Sequence, residues 1–449
     1  MSKQAKPAAP ASNSRRQLLQ GLLLGAVASA KSAPALAMKK PLVATTTGTA
    51  EVITGPEVDL VIGQSSVNFT GKSRTATTIN GSLPAPTLRF KEGDEVTIRV
   101  TNTLNVPTSI HWHGIILPYQ MDGVPGVSFD GIAPGETFVY KFTLQQSGTY
   151  WYHSHSGFQK MTGLYGALII EPKEGELYPV DRDHIVQLSD WSDEDPMRVF
   201  SKLKIQSDLY NFNQPTAFDF FNDVSNGGVK LALAKRRMWN QMRMNPSDLA
   251  DLSATTLSFL INGQTTDTNW TAIAKLGERV RLRFINTSSN TLFDVRIPDL
   301  AMQIVQADGQ NVEPISIDEF RFGPGETYDA IIEPINEAHT LFAQSIDRSG
   351  FVRASIASQQ GLEAPIPTLD PAVPLSMIDM MGDMAPPAKM PRHASSEYGA
   401  TVDARVDTPP HEPGRSRGWT AQQWAPCADP RRLASPSAPA ALRCAEQRN

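Results

Sequence analysis

Apolar and polar side chains alternate along much of this chain. Val96, Ile98 and Val100 alternate with Thr97, Arg99 and Thr101, the period-two pattern of a strand with one buried face. Ala133-Pro134-Gly135-Glu136 then turns the chain into Thr137-Phe138-Val139-Tyr140-Lys141-Phe142, a second alternating run. Gly148-Thr149-Tyr150-Trp151-Tyr152-His153 continues with strand-favouring aromatic residues.

These blocks recur in order and at nearly constant spacing. Ile79-Asn80-Gly81 returns as Ile261-Asn262-Gly263, and Glu92-Gly93-Asp94 with its following strand returns as Leu276-Gly277-Glu278. The Pro134-Gly135-Glu136 turn returns as Pro324-Gly325-Glu326. Short strands separated by turn signals predict two copies of one β-sandwich, over 45–172 and 180–358, in an all-β protein. The pattern changes between about 195 and 255, where Lys230 to Met244 reads as a helix ending before Pro246. Met238, Met242 and Met244 either pack against a sheet or present thioethers to a soft copper(I) ion. A linker rich in Pro and Met follows over 359–408, then a tail over 409–449.

Length and composition agree with this organisation. The 449 residues leave room for two or three domains, and 34 prolines and 31 glycines suit many turns. A net charge of −5 without a basic stripe predicts no nucleic-acid partner. No apolar run approaches the roughly 20 residues that cross a bilayer. Arg15-Arg16 precedes a short apolar stretch from Gly21 to Ala30 and then Ala35-Leu36-Ala37. That order predicts a twin-arginine signal peptide over 1–37, recognised by the Tat export machinery, and a periplasmic mature chain. The only cysteines, Cys427 and Cys444, lie in the tail, so no disulfide framework holds the body. From Pro410 to Asn449 there is no Val, Ile, Phe, Tyr or Lys, a composition that predicts disorder.

Four of the eight histidines form two His-x-His pairs, His111-Trp112-His113 and His153-Ser154-His155. Residues two apart on a strand point to one side, so each pair aims two imidazoles at one point. Four nitrogens exceed the needs of a single structural zinc and suit two adjacent ions; imidazole serves copper, zinc, iron or nickel. The bland alternative is four hydrogen-bonded core or surface histidines. The second sandwich carries Asp294-Val295-Arg296-Ile297 where the first has His111 to Gly114, so the fold itself does not require those rings. Asp122, in Met121-Asp122-Gly123, is a turn-former or a proton relay. His184, His339, His393 and His411 are isolated and carry no assigned role.

At His-Trp-His-Gly and Trp-Tyr-His-Ser-His, after the Pro-Gly-Glu-Thr turns, the chain resembles the multicopper oxidases. With the twin-arginine leader and the Met/Asp/Gly stretch from Met377 to Met390, it is most similar to bacterial copper-resistance oxidases of the CopA type. The resemblance implies tandem cupredoxin-like Greek-key sandwiches, two present here and a third missing. It implies oxidation of copper(I) or phenols coupled to reduction of dioxygen to water, in the service of copper tolerance. It places His111 on a type 2 copper, His113, His153 and His155 on a type 3 pair, and Asp122 as proton donor. The family's remaining cluster histidines and its type 1 copper ligands have no counterpart in this sequence, which implies little or no turnover. The tail is read as out-of-frame translation after a frameshift near Pro409, because its codons can be chosen so that the neighbouring frame resembles the family's linker. Two other readings are a periplasmic copper-sequestering protein without turnover, and a metal-free structural relative.

Overall fold

Strands form where the alternation places them. The computed structural model describes residues 50–372 except 212, 213, 243, 244 and 248, together with Leu375 and Ala404–Arg405. The expected leader, the tail, most of the linker and Met244 lie outside the described residues, as do the side chains of Met238 and Met242.

The first half contains Val52–Thr54 (β1), Glu57–Val67 (β2), Arg74–Ile79 (β3), Ala85–Lys91 (β4) and Glu95–Asn102 (β5). His111–His113 (β6), Thr137–Thr143 (β7), Gly148–His153 (β8) and Tyr165–Glu171 (β9) follow. One sheet has the order β1-β4-β9-β8-β6 and the other β3-β2-β5-β7. Val96, Ile98 and Val100 are fully buried between them, against Leu60, Tyr140 and Leu168. Thr97, Arg99 and Thr101 stand on the opposite face, as the alternation requires.

The second half opens with Arg182–Trp191 (β10), then two helices, Pro196–Ile205 (α1) and Ala217–Met242 (α2). Asp195 caps α1 by accepting from the Arg198 N–H at 3.0 Å, and Pro196 occupies the first turn, where no donor is needed. The sequence predicted a helix only from Lys230. The part of α2 after Gly228, which is non-helical with φ 78°, corresponds to it; the part before Gly228 was not expected and starts at a capping box in which the Thr216 and Asp219 side chains each accept from the other's backbone N–H.

Strand pairing resumes with Ser258–Ile261 (β11), Thr271–Ile273 (β12), Val280–Asn286 (β13), Phe293–Arg296 (β14) and Met302–Ala307 (β15). Gln310–Ile317 (β16), Glu319–Phe322 (β17), Thr327–Ile332 (β18), Ala338–Ser345 (β19), Phe351–Ala357 (β20) and Ala404–Arg405 (β21) complete it. The sheet orders are β11-β10-β13-β18-β15-β16 and β12-β20-β19-β14-β17-β21. The architecture is two tandem cupredoxin-like sandwiches. Among the described residues, no helix is long and apolar enough to cross a membrane.

The sequence repeat has a structural reason. Asn80 and Asn262 both adopt positive φ, 51° and 50°, and each side-chain oxygen accepts a 2.8 Å bond from a neighbouring strand, from the N–H of Val61 and Gln187 respectively. Asn102 and Asn286 each donate to a buried carbonyl, Ile132 at 2.9 Å and Phe322 at 2.8 Å. Each also accepts, through its own carbonyl, a 2.8 Å bond from the glycine of the Pro-Gly-Glu turn. The recurring blocks are the residues that close the sandwich.

The two sandwiches share an interface core of Leu83, Trp151, Tyr165, Trp191, Leu260 and Ile285. Beside it β13 is buried along its whole length, Arg281 and Arg283 included. Alternation alone would send those arginines to solvent. Instead the Arg283 guanidinium bonds Asp329 at 3.0 Å, Asp183 at 2.8 Å, Glu176 at 3.2 Å and the Thr149 hydroxyl at 2.9 Å. Arg281 bonds Glu176 at 2.7 Å and the Tyr178 carbonyl at 2.9 Å. Burial pushes the Asp329 carboxyl up, and Arg283, the Thr149 hydroxyl and Arg281 pull it back.

A strap follows the second sandwich. Arg353 holds Glu363 at 2.9 Å, the Thr340 hydroxyl donates to the carbonyls of Ala364 and Pro365, and Arg296 donates to that of Thr368 at 2.9 Å. Arg296 also pairs with Glu319 and Asp370.

Replacing Asp329 with Ala strands two buried guanidinium groups opposite fewer carboxylates. Urea unfolding at neutral pH is expected to show a loss of about 3–5 kcal/mol. A loss under about 1 kcal/mol would mean that the network is solvated.

Candidate metal centre

Strand β6 commits its central residue to the core. Trp112 is fully buried, its ring 5.2 Å from Tyr140 and 5.7 Å from Tyr152. With Trp112 turned inward, strand geometry turns His111 and His113 to the other side. Strand β8 pairs antiparallel with β6, placing His111 opposite His153 and His113 opposite Trp151. His155 follows just past the end of β8. The ligand atoms of His111, His153 and His155 all lie within 4.8 Å of one another. His113 joins them through Nδ1, 3.3 Å from His153 Nε2. The four imidazoles singled out in the sequence are thus brought together at one end of one sandwich.

The rings are oriented by backbone carbonyls. His111 Nδ1 donates to the Asp122 carbonyl at 2.8 Å, and His153 Nδ1 donates to that of Ser154 at 3.1 Å. A carbonyl can only accept, so in both rings Nδ1 carries the proton and Nε2 keeps its lone pair for a metal. The Asp122 carboxylate stands farther away, with Oδ1 3.4 Å from the same His111 nitrogen. Asp122 is therefore part of the turn and a neighbour of the centre at once. The His153–His155 segment is tied to the residues leading into β6. The His155 N–H donates to Ser109 Oγ at 3.0 Å, while the Ser154 and Thr108 hydroxyls both donate to Gln159 Oε1, at 2.9 and 2.6 Å.

Burial favours the neutral form of three of the rings. It pushes His113 down to about 4, with His111 and Lys160 adding to the effect, and His153 down to about 2, with Lys160 adding. His155 is lowered as well, first by burial and then by His111. A neutral imidazole offers a lone pair without first shedding a proton. The donor set is all nitrogen and its ligand atoms converge. It fits copper.

Three glycine and aromatic positions shape the centre without being visible as ligands. Gly123 has φ 77°, and a Cβ there would lie 1.7 Å from the Ile110 carbonyl oxygen. Only glycine lets the 121–126 turn approach close enough to set the Asp122 carbonyl on His111. Trp151 stacks on His113 and on His153, with ring centroids 4.7 and 4.1 Å apart. Gly325, from the second sandwich, lies against His113. Sequence signals existed for two of them: Trp151 stands two residues before His153, on the same strand face, and Gly325 is the repeated turn glycine.

The remaining described histidines have structural partners. His184 Nε2 donates to the Ile273 carbonyl at 2.8 Å, and His339 Nε2 accepts from the N–H groups of Ile335 and Asn336. His393 and His411 lie outside the described residues. In the second sandwich the place of the β6 histidines is filled by ion pairs, Asp294 with Arg321 at 2.8 Å and Arg296 with Glu319 at 2.8 Å.

In Gly123→Ala protein, the new methyl must push the turn off β6 and release His111. Equilibrium dialysis is expected to show copper(II) affinity lowered roughly tenfold or more, since such orienting bonds carry that much. Unchanged affinity would show that the carbonyl does not orient the ring. The metal-free protein should also lose stability in acid. His153 titrates near 6.5 when unfolded and near 2 when folded, so the unfolded chain takes up the proton first. Stability is expected to fall as pH drops below about 6.5, by up to about 1.4 kcal/mol per pH unit for this one group. Urea titrations of the wild type and of His153→Gln from pH 7 to pH 4 measure it, and parallel curves would reject the assignment.

With this geometry in place, comparison with known proteins gives a consistent result. Two family models described as multicopper oxidase match residues 61–175 and 182–362. The chain is 53% identical over 374 residues to a copper resistance protein A homolog of Pseudomonas syringae pv. tomato, covering 83% of this chain and 62% of that one. It is 53% identical over 372 residues to copper resistance protein A of Escherichia coli, covering 83% and 61%. The chain therefore spans about three-fifths of the length of these relatives. Among solved structures, the laccase of Botrytis aclada superposes with a TM-score of 0.54 at 26% identity, covering 73% of this chain and 56% of the laccase. The repeated sandwiches, the clustered imidazoles and these matches agree: the chain belongs to the multicopper oxidase family.

Proposed function

We propose that this chain forms part of a copper-dependent oxidoreductase that oxidises copper(I) or a phenol and passes the electrons to dioxygen, yielding water. The observation that carries the reading is the convergence of four imidazoles, with the ligand atoms of three of them within 4.8 Å of one another. His111 is assigned to a type 2 copper, and His113, His153 and His155 to a type 3 pair. Copper bound by these rings supplies one-electron chemistry, which imidazole alone lacks. The chain's own residues do the rest. The Asp122 and Ser154 carbonyls orient His111 and His153, and the indole of Trp151 keeps solvent from one side of the rings. The Asp122 carboxylate, half-open to solvent beside His111, relays protons toward the centre. We place the domain boundaries at 45–172 and 180–358. The mature protein is assigned to the periplasm, exported through the leader at Arg15-Arg16, where it contributes to copper tolerance.

A second reading is copper binding without turnover. It is supported by the same convergence of imidazoles, which binds a metal with or without turnover.

Metal analysis of the purified chain, combined with a phenol-oxidation assay, separates the readings. Bound copper is expected in both, and turnover only in the first. His153→Ala is expected to weaken copper(II) binding by at least roughly tenfold, as loss of a ligand should exceed loss of its orienting bond. Protein that takes up no copper would refute both readings.

A further inference from the structure

We propose that Trp151 is the positioning residue through which the second sandwich sets the ring geometry of the histidine cluster, a reading that rests on the copper assignment above. Trp151 lies on β8 directly opposite His113 and two residues before His153, so all three share one face of the sheet. Its ring stacks on both: the centroid is 4.1 Å from His153 with planes 21° apart, and 4.7 Å from His113 with planes 28° apart. A flat, rigid indole in contact with two imidazoles limits how far either can tilt.

The indole is itself held from outside its own sandwich. Its Nε1 donates to the Gly325 carbonyl at 3.2 Å, in the Pro-Gly-Glu turn that the second sandwich shares with the first by repetition. The same turn touches His113. An ideal Cβ on Gly325 would lie 3.5 Å from His113 Cε1 and Nε2, so the bare glycine backbone backs that ring. Gly325 also has φ 94°, a conformation that glycine adopts without strain. Lys160 adds a cation 5.0 Å from the centroid of the Trp151 ring. Trp151 is 1% exposed and belongs to the apolar core between the sandwiches. Sliding is blocked one step along β8, where the Thr149 hydroxyl donates to Asp329 at 2.6 Å. The second sandwich carries no imidazole of the cluster, yet it holds the plate on which two of them rest.

The test uses the full chain, with copper(II) alone as probe, and compares two tryptophans of the same interface. Trp151→Phe keeps an aromatic plate but removes the bond to Gly325. Trp191→Phe removes an interface indole whose N–H bonds Asp193 at 3.0 Å and whose ring meets Phe69, with no imidazole stacked on it among the described residues. Three quantities are read: copper(II) affinity by chelator competition, the hyperfine splitting of the bound-copper electron paramagnetic resonance spectrum, and the thermal midpoint. Trp151→Phe is expected to bind copper(II) roughly threefold to tenfold more weakly, the worth of one hydrogen bond, with an altered splitting. Trp191→Phe is expected to lower the thermal midpoint and leave affinity and splitting unchanged. Wild-type splitting and affinity in Trp151→Phe would overturn the proposal, as would equal changes in both variants. If Trp151→Phe does not fold, Gly325→Ala, which strains the turn and leaves the indole in place, is read the same way. Wild-type protein that binds no copper would instead sink the copper assignment, and the positioning role with it.

Discussion

Burial of β8 on both faces is the constraint from which the rest of the structure follows. Tyr150 and Tyr152 point into the core of the first sandwich. Thr149, Trp151 and His153 point the other way, and each meets a different demand. Thr149 enters the Arg283–Asp329 network, Trp151 bonds the Gly325 carbonyl, and His153 meets the other imidazoles. A slip of one residue would exchange the two faces. It would put two tyrosines against buried arginines and three polar or anchored side chains into an apolar core. The register that packs the sandwich is therefore also the register that assembles the centre.

The duplicated fold shows what this constraint leaves free. Asn80 and Asn262, Asn102 and Asn286, and the two Pro-Gly-Glu turns do the same work in both sandwiches, because any such sandwich must satisfy the same buried carbonyls and turns. The strand positions facing outward carry no such duty. In the first sandwich they hold imidazoles. In the second they hold Asp294 and Arg296, which pair with Arg321 and Glu319 at 2.8 Å. Both solutions satisfy the rule that a buried polar group needs a partner. Only the first leaves lone pairs free for a metal.

Much of the fold was legible because it rests on local periodicity. Val96, Ile98 and Val100 are buried as their alternation indicated, and the turns fall at the repeated glycines. Arg281 and Arg283 were not legible. Their spacing is that of a solvent-facing row, and only the arrival of Glu176, Asp183 and Asp329 from elsewhere in the chain makes burial tolerable. The part of α2 before Gly228 was missed for a similar reason: its start depends on the Thr216–Asp219 capping box, and Gly228 separates it from the part that follows.

At the centre, spacing alone showed that His111 and His113 share a side and that His153 and His155 are two apart, since these follow from how a strand points its side chains. Sequence by itself determined the repeat, the strand faces and which four imidazoles come together. Tertiary structure alone decided that β6 lies beside β8, which Nδ1 each carbonyl takes, that Gly123 must yield space to Ile110, and that a turn from the second sandwich reaches Trp151. Those are contacts between segments far apart in the chain, and the free energy that selects them comes from burying both faces of one strand together, a quantity that no local pattern contains.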